Sequence, residues 1–410
     1  MMLTRYVEIL CLLSCRGVKT NGMRCLDSGA GRTISTAPNR SHPPEESHSR
    51  FAVSSPLPLR GAGGLVPFAA SMYEPINSGW DDNETDPLAK LAEHSPPANK
   101  RQGRFLHSRL RSARETHPCE YVLMSHPSNT RAVRGTILRD GFSFGYSIEG
   151  QGPTLLIVGS HVFYPRTFSD RLRNRRRLVF IDHRGFARAE RPLEPRDAEL
   201  VTVIDDIAAI CDVLDLGQVD LLGHSGHGYM ALEFARRLPE RVRKTVLVGT
   251  GPSHSAAHMQ AGARIWEALA APERKARLAA DLAAMEIHIA VEPERRFIWM
   301  CLGMAARSWF DPAYDATALW AGVGVNMPVF DRLWGEVFAS YPTRDALAEL
   351  TRPLLICMGR HDHLVAPIET WLPLLPEGDM PKLALFERSA HTPQLEEAEL
   401  FDTVLLDFLS

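Results

Sequence analysis

From about Val133 onward the chain alternates short apolar runs with stretches in which apolar residues recur at helical spacing. Gly135 to Leu138 and Phe142 to Ile148 read as an opening pair of strands, joined by a tight turn at Asp140-Gly141. Leu155 to Val158 and Leu178 to Ile181 are brief apolar runs with turn residues on both sides, the pattern of strands buried on both faces of a parallel sheet. Between Asp197 and Leu216, Ile204, Ile207, Ala208, Cys211 and Leu214 fall on one helical face, and Gly217 stands at the capping position. Val219 to Leu222 is a further strand. Ala231, Phe234, Ala235 and Leu238 mark a helix over Tyr229 to Leu238, and Thr245 to Val248 supplies the next strand.

The alternation stops between about residues 253 and 350, where the sequence turns helical and rich in Ala, Trp, Phe and Met. It resumes with strands Leu354 to Met358 and Leu383 to Phe386 and a closing helix Glu396 to Leu409. This order predicts an α/β domain over residues 131–410, with a mostly parallel central sheet flanked by helices and an all-helical cap inserted between two sheet segments. Residues 1–130 are broken by Pro, Ser, Gly, Arg and His. They lack the patterned apolar residues that offset chain entropy, so a low-complexity, disordered extension is expected there.

Composition changes this picture little. A formal net charge of −3 over 410 residues argues against binding driven by phosphate attraction, so no nucleic-acid partner is implied. The seven cysteines show no zinc or disulfide-framework spacing, and Cys211 and Cys357 sit inside apolar runs as small core residues. A reducing, cytoplasmic setting is expected. The start of the chain offers the alternative of export or lipid anchoring, because Leu12-Leu13-Ser14-Cys15 is similar to a lipoprotein cleavage box. Its apolar stretch is short for a secretory core and far short of a membrane span.

The chemistry concentrates at Gly223-His224-Ser225-Gly226-His227, set between a strand and a helix. A serine becomes a nucleophile when a sharp strand-to-helix turn lifts its hydroxyl out of the sheet and a base accepts its proton. Ser225 is the expected nucleophile. Asp362, just beyond the strand ending at Met358, and His391, just beyond the strand ending at Phe386, are the expected orienting carboxylate and base. His227 occupies the place of the usual second glycine, so either its side chain crowds the helix against the strand or the helix start tilts and Gly228 takes the close contact. The amides of Gly226 and, in the loop Gly159-Ser160-His161, of Ser160 are the expected oxyanion donors. His161, His224, His227, His361 and His363 read as pocket lining. No metal-ligand spacing joins them, and no cofactor is implied.

With these residues placed, Gly135 to Leu409 resembles the α/β-hydrolase superfamily, and within it the prolyl iminopeptidase-like serine hydrolases. The likeness is carried by Gly159-Ser160 through Phe168, Asp182-His183-Arg184-Gly185, Gly223 to Met230, Gly359 to Pro367 and Phe386 to Gln394. It implies hydrolysis of a small ester, lactone or amide through an acyl-enzyme, with the cap shaping a pocket for a small-molecule or short-peptide substrate. A peptidase of that kind needs cap carboxylates for the substrate's free amine, for which Asp311, Asp331 and Glu336 are the candidates, each with a competing role as a helix cap or surface charge. Trp334, with Trp309, Phe310, Trp320 and Phe330, would line an apolar pocket, with packing of the cap core as the competing use for most of them. Where peptidase members show a His-Gly start, this chain has Val158-Gly159-Ser160-His161, a departure that bears on proline specificity more than on hydrolysis. The other class of reading is a receptor-like or scaffold protein that kept the pocket for binding alone. Oligomeric state is not legible.

Overall fold

The computed structural model describes residues 132–376 and 381–410. The expectations made for residues 1–130, the disordered extension and the export signal among them, lie outside the described residues.

Nine strands form one sheet in the order β1-β2-β4-β3-β6-β7-β8-β9, with β5 paired to β2. The opening hairpin is β1 (Val133–Arg139) and β2 (Phe142–Gly150), antiparallel in the register Arg139 opposite Phe142. Asp140 and Gly141 both have positive φ, 47° and 74°, which matches the twist of a two-residue turn to that of the strands. The remaining main strands, β3 (Thr154–Gly159), β4 (Arg177–Asp182), β6 (Val219–His224), β7 (Val242–Val248), β8 (Leu354–Gly359) and β9 (Lys382–Phe386), run parallel to their neighbours in that series. Leu155, Leu156, Ile157 and Val158 are wholly buried, as are Leu221 and Leu222, so the unbroken apolar runs reflect burial on both faces. The two-residue β5 (Arg188–Ala189) carries no sequence signal of its own.

Between the strands lie helices α1 (Leu200–Val213) and α2 (His227–Arg237), and α2 packs on β3, β6 and β7. Buried Arg184 ties the hairpin turn to this layer: it bonds Asp140 at 2.8 Å and Asp206 of α1 at 2.6 Å, and also pairs with Asp197. Its guanidinium holds the Asp140 carboxyl below the usual carboxylate range.

After β4 the chain returns past β3 to form β6 on the other side, which makes the carboxyl ends of β3 and β6 the switch point where open α/β sheets bind ligands. The segment between β7 and β8 is helical, from Ala256–Leu269 and Pro272–Val291 through to Thr343–Glu349. It is bound to the loops at that same sheet edge by backbone contacts. Asn326 donates its side-chain amide to the carbonyls of Arg184 and Ala187, and Arg166 donates to the Leu319 carbonyl. The closing helix is broken rather than continuous. Pro393–Glu396 and Ala398–Leu409 are separated at Glu397, whose side chain turns back to bond the Arg388 amide and the Ser389 hydroxyl.

Candidate active site

Ser225 follows β6 directly and has φ 58°, a left-handed conformation uncommon for a residue with a side chain. The turn is held by the Ser225 amide donating to the Val248 carbonyl at 2.8 Å and by the Gly228 amide donating to the Ser225 carbonyl at 2.9 Å. Room for the turn comes from two glycines. A Cβ on Gly223 would lie 2.3 Å from the His227 carbonyl oxygen, and one on Gly228 would lie 2.1 Å from Thr250 Oγ1. Of the two alternatives the sequence offers, the close contact falls to Gly228, and His227 is accommodated as the first residue of α2.

Asp362 and His391 come from the loops after β8 and β9 and meet at 2.8 Å, His391 Nδ1 to Asp362 Oδ2. The other carboxylate oxygen of Asp362 accepts the amides of Leu364, at 3.0 Å, and Val365, at 3.4 Å. A carboxylate fixed in this way keeps the proton of a neutral His391 on Nδ1 and leaves Nε2 as the basic nitrogen. The His391 backbone is fixed as well: its amide donates to the Ser308 carbonyl at 2.9 Å, and its carbonyl accepts from His224 Nε2 at 2.8 Å. The ring of His391 lies 4.8 Å from that of His224, the residue before Ser225. Ser225 itself is half-buried, while Asp362 and His391 are buried.

Gly226 is the N-cap of α2, where its amide has no acceptor within the helix. Trp334 covers it, since a Cβ there would lie 2.5 Å from the indole. Trp334 therefore stands beside the elbow, in ring contact with His183, His227, Phe297, Phe330 and Phe338. In the loop after β3, Ser160 is buried, and its hydroxyl accepts the amides of Val162 and Phe163 at 3.2 and 3.1 Å, fixing the course of the backbone.

The three cap carboxylates are engaged elsewhere. Asp331 holds Arg296 through both oxygens at 2.6 and 2.7 Å. Glu336 pairs with Arg332 on an exposed helical face. Asp311 is exposed and caps its own turn by accepting the Ala313 amide at 2.9 Å. Local charge pairing and turn chemistry satisfy each of them, the competing role that the sequence also offers for these three carboxylates.

Asp182 had entered the sequence reading only as part of the resemblance. It is buried at the end of β4, accepts the amides of His161 and Gly145 at 2.9 and 3.0 Å, and meets His161 Nδ1 at 2.9 Å, so it anchors the loop bearing Ser160. Nor did the spacing reveal that Tyr164, His183, His224 and His227 join in one buried hydrogen-bonded chain. Burial pushes His183 and His224 well below the usual histidine range and His227 down to about 4. His361 and His363 lie outside this chain, against the rings of Phe310 and Trp266. Among the described residues no group of three or more His, Cys, Asp or Glu side chains is arranged to hold a metal ion, and no helix is long and apolar enough to cross a membrane.

An elbow serine and an aspartate-bound histidine at the carboxyl edge of a mostly parallel sheet define a class of protein. A family model described as the alpha/beta hydrolase fold matches residues 151–398, and the chain belongs to that family and with it to the hydrolases. It is similar to the AB hydrolase superfamily protein YclE of Bacillus subtilis (strain 168), 42% identical over 265 residues, which are 64% of this chain and 94% of the relative. It is also similar to the 2-hydroxymuconate semialdehyde hydrolase of Pseudomonas sp. (strain CF600), 26% identical over 70% of this chain and 97% of that one. Among solved structures, the proline iminopeptidase of Mycobacterium smegmatis has a TM-score of 0.51 at 19% identity, covering 68% of this chain and 97% of its own, a likeness of fold alone.

Proposed function

We propose that the protein is a cofactor-independent serine hydrolase acting on a small ester, lactone or activated ketone through an acyl-enzyme, with residues 131–410 as its catalytic domain and residues 253–350 as its cap. The observation that carries this reading is the 2.8 Å contact of His391 Nδ1 with Asp362, on loops that follow two strands of the sheet whose β6 leads into Ser225. His391 Nε2 takes the Ser225 hydroxyl proton as Oγ bonds to the substrate carbonyl carbon. The negative oxygen that forms is met by the amides of Gly226 and Ser160. Collapse breaks the bond to the leaving group, which departs with the proton from His391, and a water repeats the cycle to free the acid and Ser225.

The hydrolases among the relatives support the class of reaction. The arginine partners of Asp331 and Glu336 disfavour an aminopeptidase, and the aromatic cluster around Trp334 favours an acyl group that is largely apolar. Ser225→Ala is expected to abolish covalent labelling by a fluorophosphonate probe while the wild-type chain is labelled. Labelling that survives the substitution removes Ser225 from this role. Profiling against short-chain p-nitrophenyl esters, lactones and prolyl-naphthylamide then ranks the substrates, and a preference for the prolyl amide would restore the peptidase reading.

A further inference from the structure

Four buried aromatic side chains run from beneath Trp334 to the loop of the base, and their proton positions follow from the backbone groups they meet. The Gly185 amide donates to His183 Nδ1 at 3.0 Å, so a neutral His183 carries its proton on Nε2, which faces His227 Nε2 at 3.1 Å. His227 Nδ1 lies 3.0 Å from the His224 carbonyl, which can only accept, so the His227 proton is on Nδ1 and its Nε2 is free to accept from His183. His224 Nε2 lies 2.8 Å from the His391 carbonyl, again an acceptor only, so His224 is protonated on Nε2 and bare on Nδ1. Tyr164 Oη closes the chain, 2.9 Å from His227 Nδ1 and 3.1 Å from His224 Nδ1: it shares the His227 proton with the His224 carbonyl in a three-centre bond and donates its own to His224. Three independent backbone anchors agree on one arrangement with every ring neutral. A second proton on His183 would face the Gly185 N–H, and one on His227 would face the proton of His183.

We propose that this chain, His183–His227–Tyr164–His224, is a positioning network that fixes the backbone of His391 and so aligns the base with Ser225, with Tyr164 and His224 as positioning residues that act through His391. The chain ends on the His391 carbonyl, while the amide of the same residue is held by Ser308 and its ring by Asp362. The base is thereby fixed from three sides. At its other end His183 stacks on Trp334 and meets Phe330 and Phe186 edge-on, which joins the network to the cap residues over the elbow. The inference rests on the serine-hydrolase reading.

Tyr164→Phe tests it, because the ring keeps its place against Gly159 and Phe163 while the hydroxyl link is lost. The expected result is a fall of about 10- to 100-fold in kcat and in the rate of fluorophosphonate labelling, the cost of a small misplacement of a catalytic group, with KM little changed. His224→Gln offers one acceptor and one donor at the imidazole's spacing and is expected to retain most of the rate, whereas His224→Leu falls with Tyr164→Phe. Wild-type labelling by Tyr164→Phe, or equal losses in His224→Gln and His224→Leu that track their melting temperatures, would overturn the network alone. Persistent labelling of Ser225→Ala would overturn the hydrolase reading, and the positioning role with it.

Discussion

At Ser225 the side chain and the backbone want different things. A φ of 58° brings Cβ close to the following carbonyl and costs an L-residue roughly 1–2 kcal/mol, yet the same turn exposes the hydroxyl above the sheet. The neighbouring contacts keep it there: the Ser225 carbonyl accepts from both Gly228 and the Thr250 hydroxyl, at 2.9 Å each. Glycine adopts this conformation without the penalty, so two inactive variants should differ in stability. Ser225→Gly is expected to melt above Ser225→Ala, by an amount corresponding to about 1 kcal/mol, although both lose the nucleophile. Calorimetry on the pair decides it. Equal melting temperatures would mean that the turn relaxes in the variants and that Ser225 holds no strain.

At the scale of elements, the loop after β9 is held at Arg388 and Ser389 by Glu397 and on either side of His391 by a second carboxylate. Glu396 Oε2 accepts the amides of Ala390 at 2.9 Å and Thr392 at 3.2 Å, the residues on either side of His391, while its Oε1 accepts the Phe310 amide of the helical insertion at 2.6 Å. Burial pushes the Glu396 carboxyl above its usual range even though these three amides pull it down. Glu396→Ala strands three donors and is expected to cost about 1–3 kcal/mol, with a loss of labelling rate larger than that of Glu396→Gln, which keeps one acceptor oxygen. A Glu396→Ala chain as stable and as fast as wild type would show that the loop is held without it. The strands other than β5, the elbow and the order of Ser225, Asp362 and His391 were legible because each leaves a local mark, an apolar run followed by a Gly-rich turn or a polar loop. The break at Glu397, the ion pairs of Asp331 and Glu336 and the chain from His183 to His224 left none. They depend on groups brought together by folding, such as Tyr164 and His224, 60 positions apart in the chain.

For the molecule as a whole, neutral histidines stored in the core make folding pH-dependent in a direction that can be worked out. His227 is held to about 4, and His183 and His224 are pushed well down, by burial first. In the unfolded chain each titrates near 6.5, so between about 6.5 and 4 the unfolded state binds more protons than the folded one. Their stabilising effect is therefore complete above pH 6.5 and is lost as the pH falls toward 4, at a slope of up to about 1.4 kcal/mol per pH unit for each group. His363, half-buried against Trp266 and also held to about 4 by desolvation, adds to the same slope. Around His227 the facing groups are Tyr164, His183, Phe186, the His224 carbonyl and Trp334, none of them a carboxylate that could reverse the sign. Denaturant unfolding of wild type and His227→Gln at several pH values between 7 and 4.5 is expected to give a shallower decline in the variant, by nearly one proton's worth. Parallel declines would mean that His227 is protonated in the folded state, which would undo the single proton arrangement on which the positioning of His391 depends.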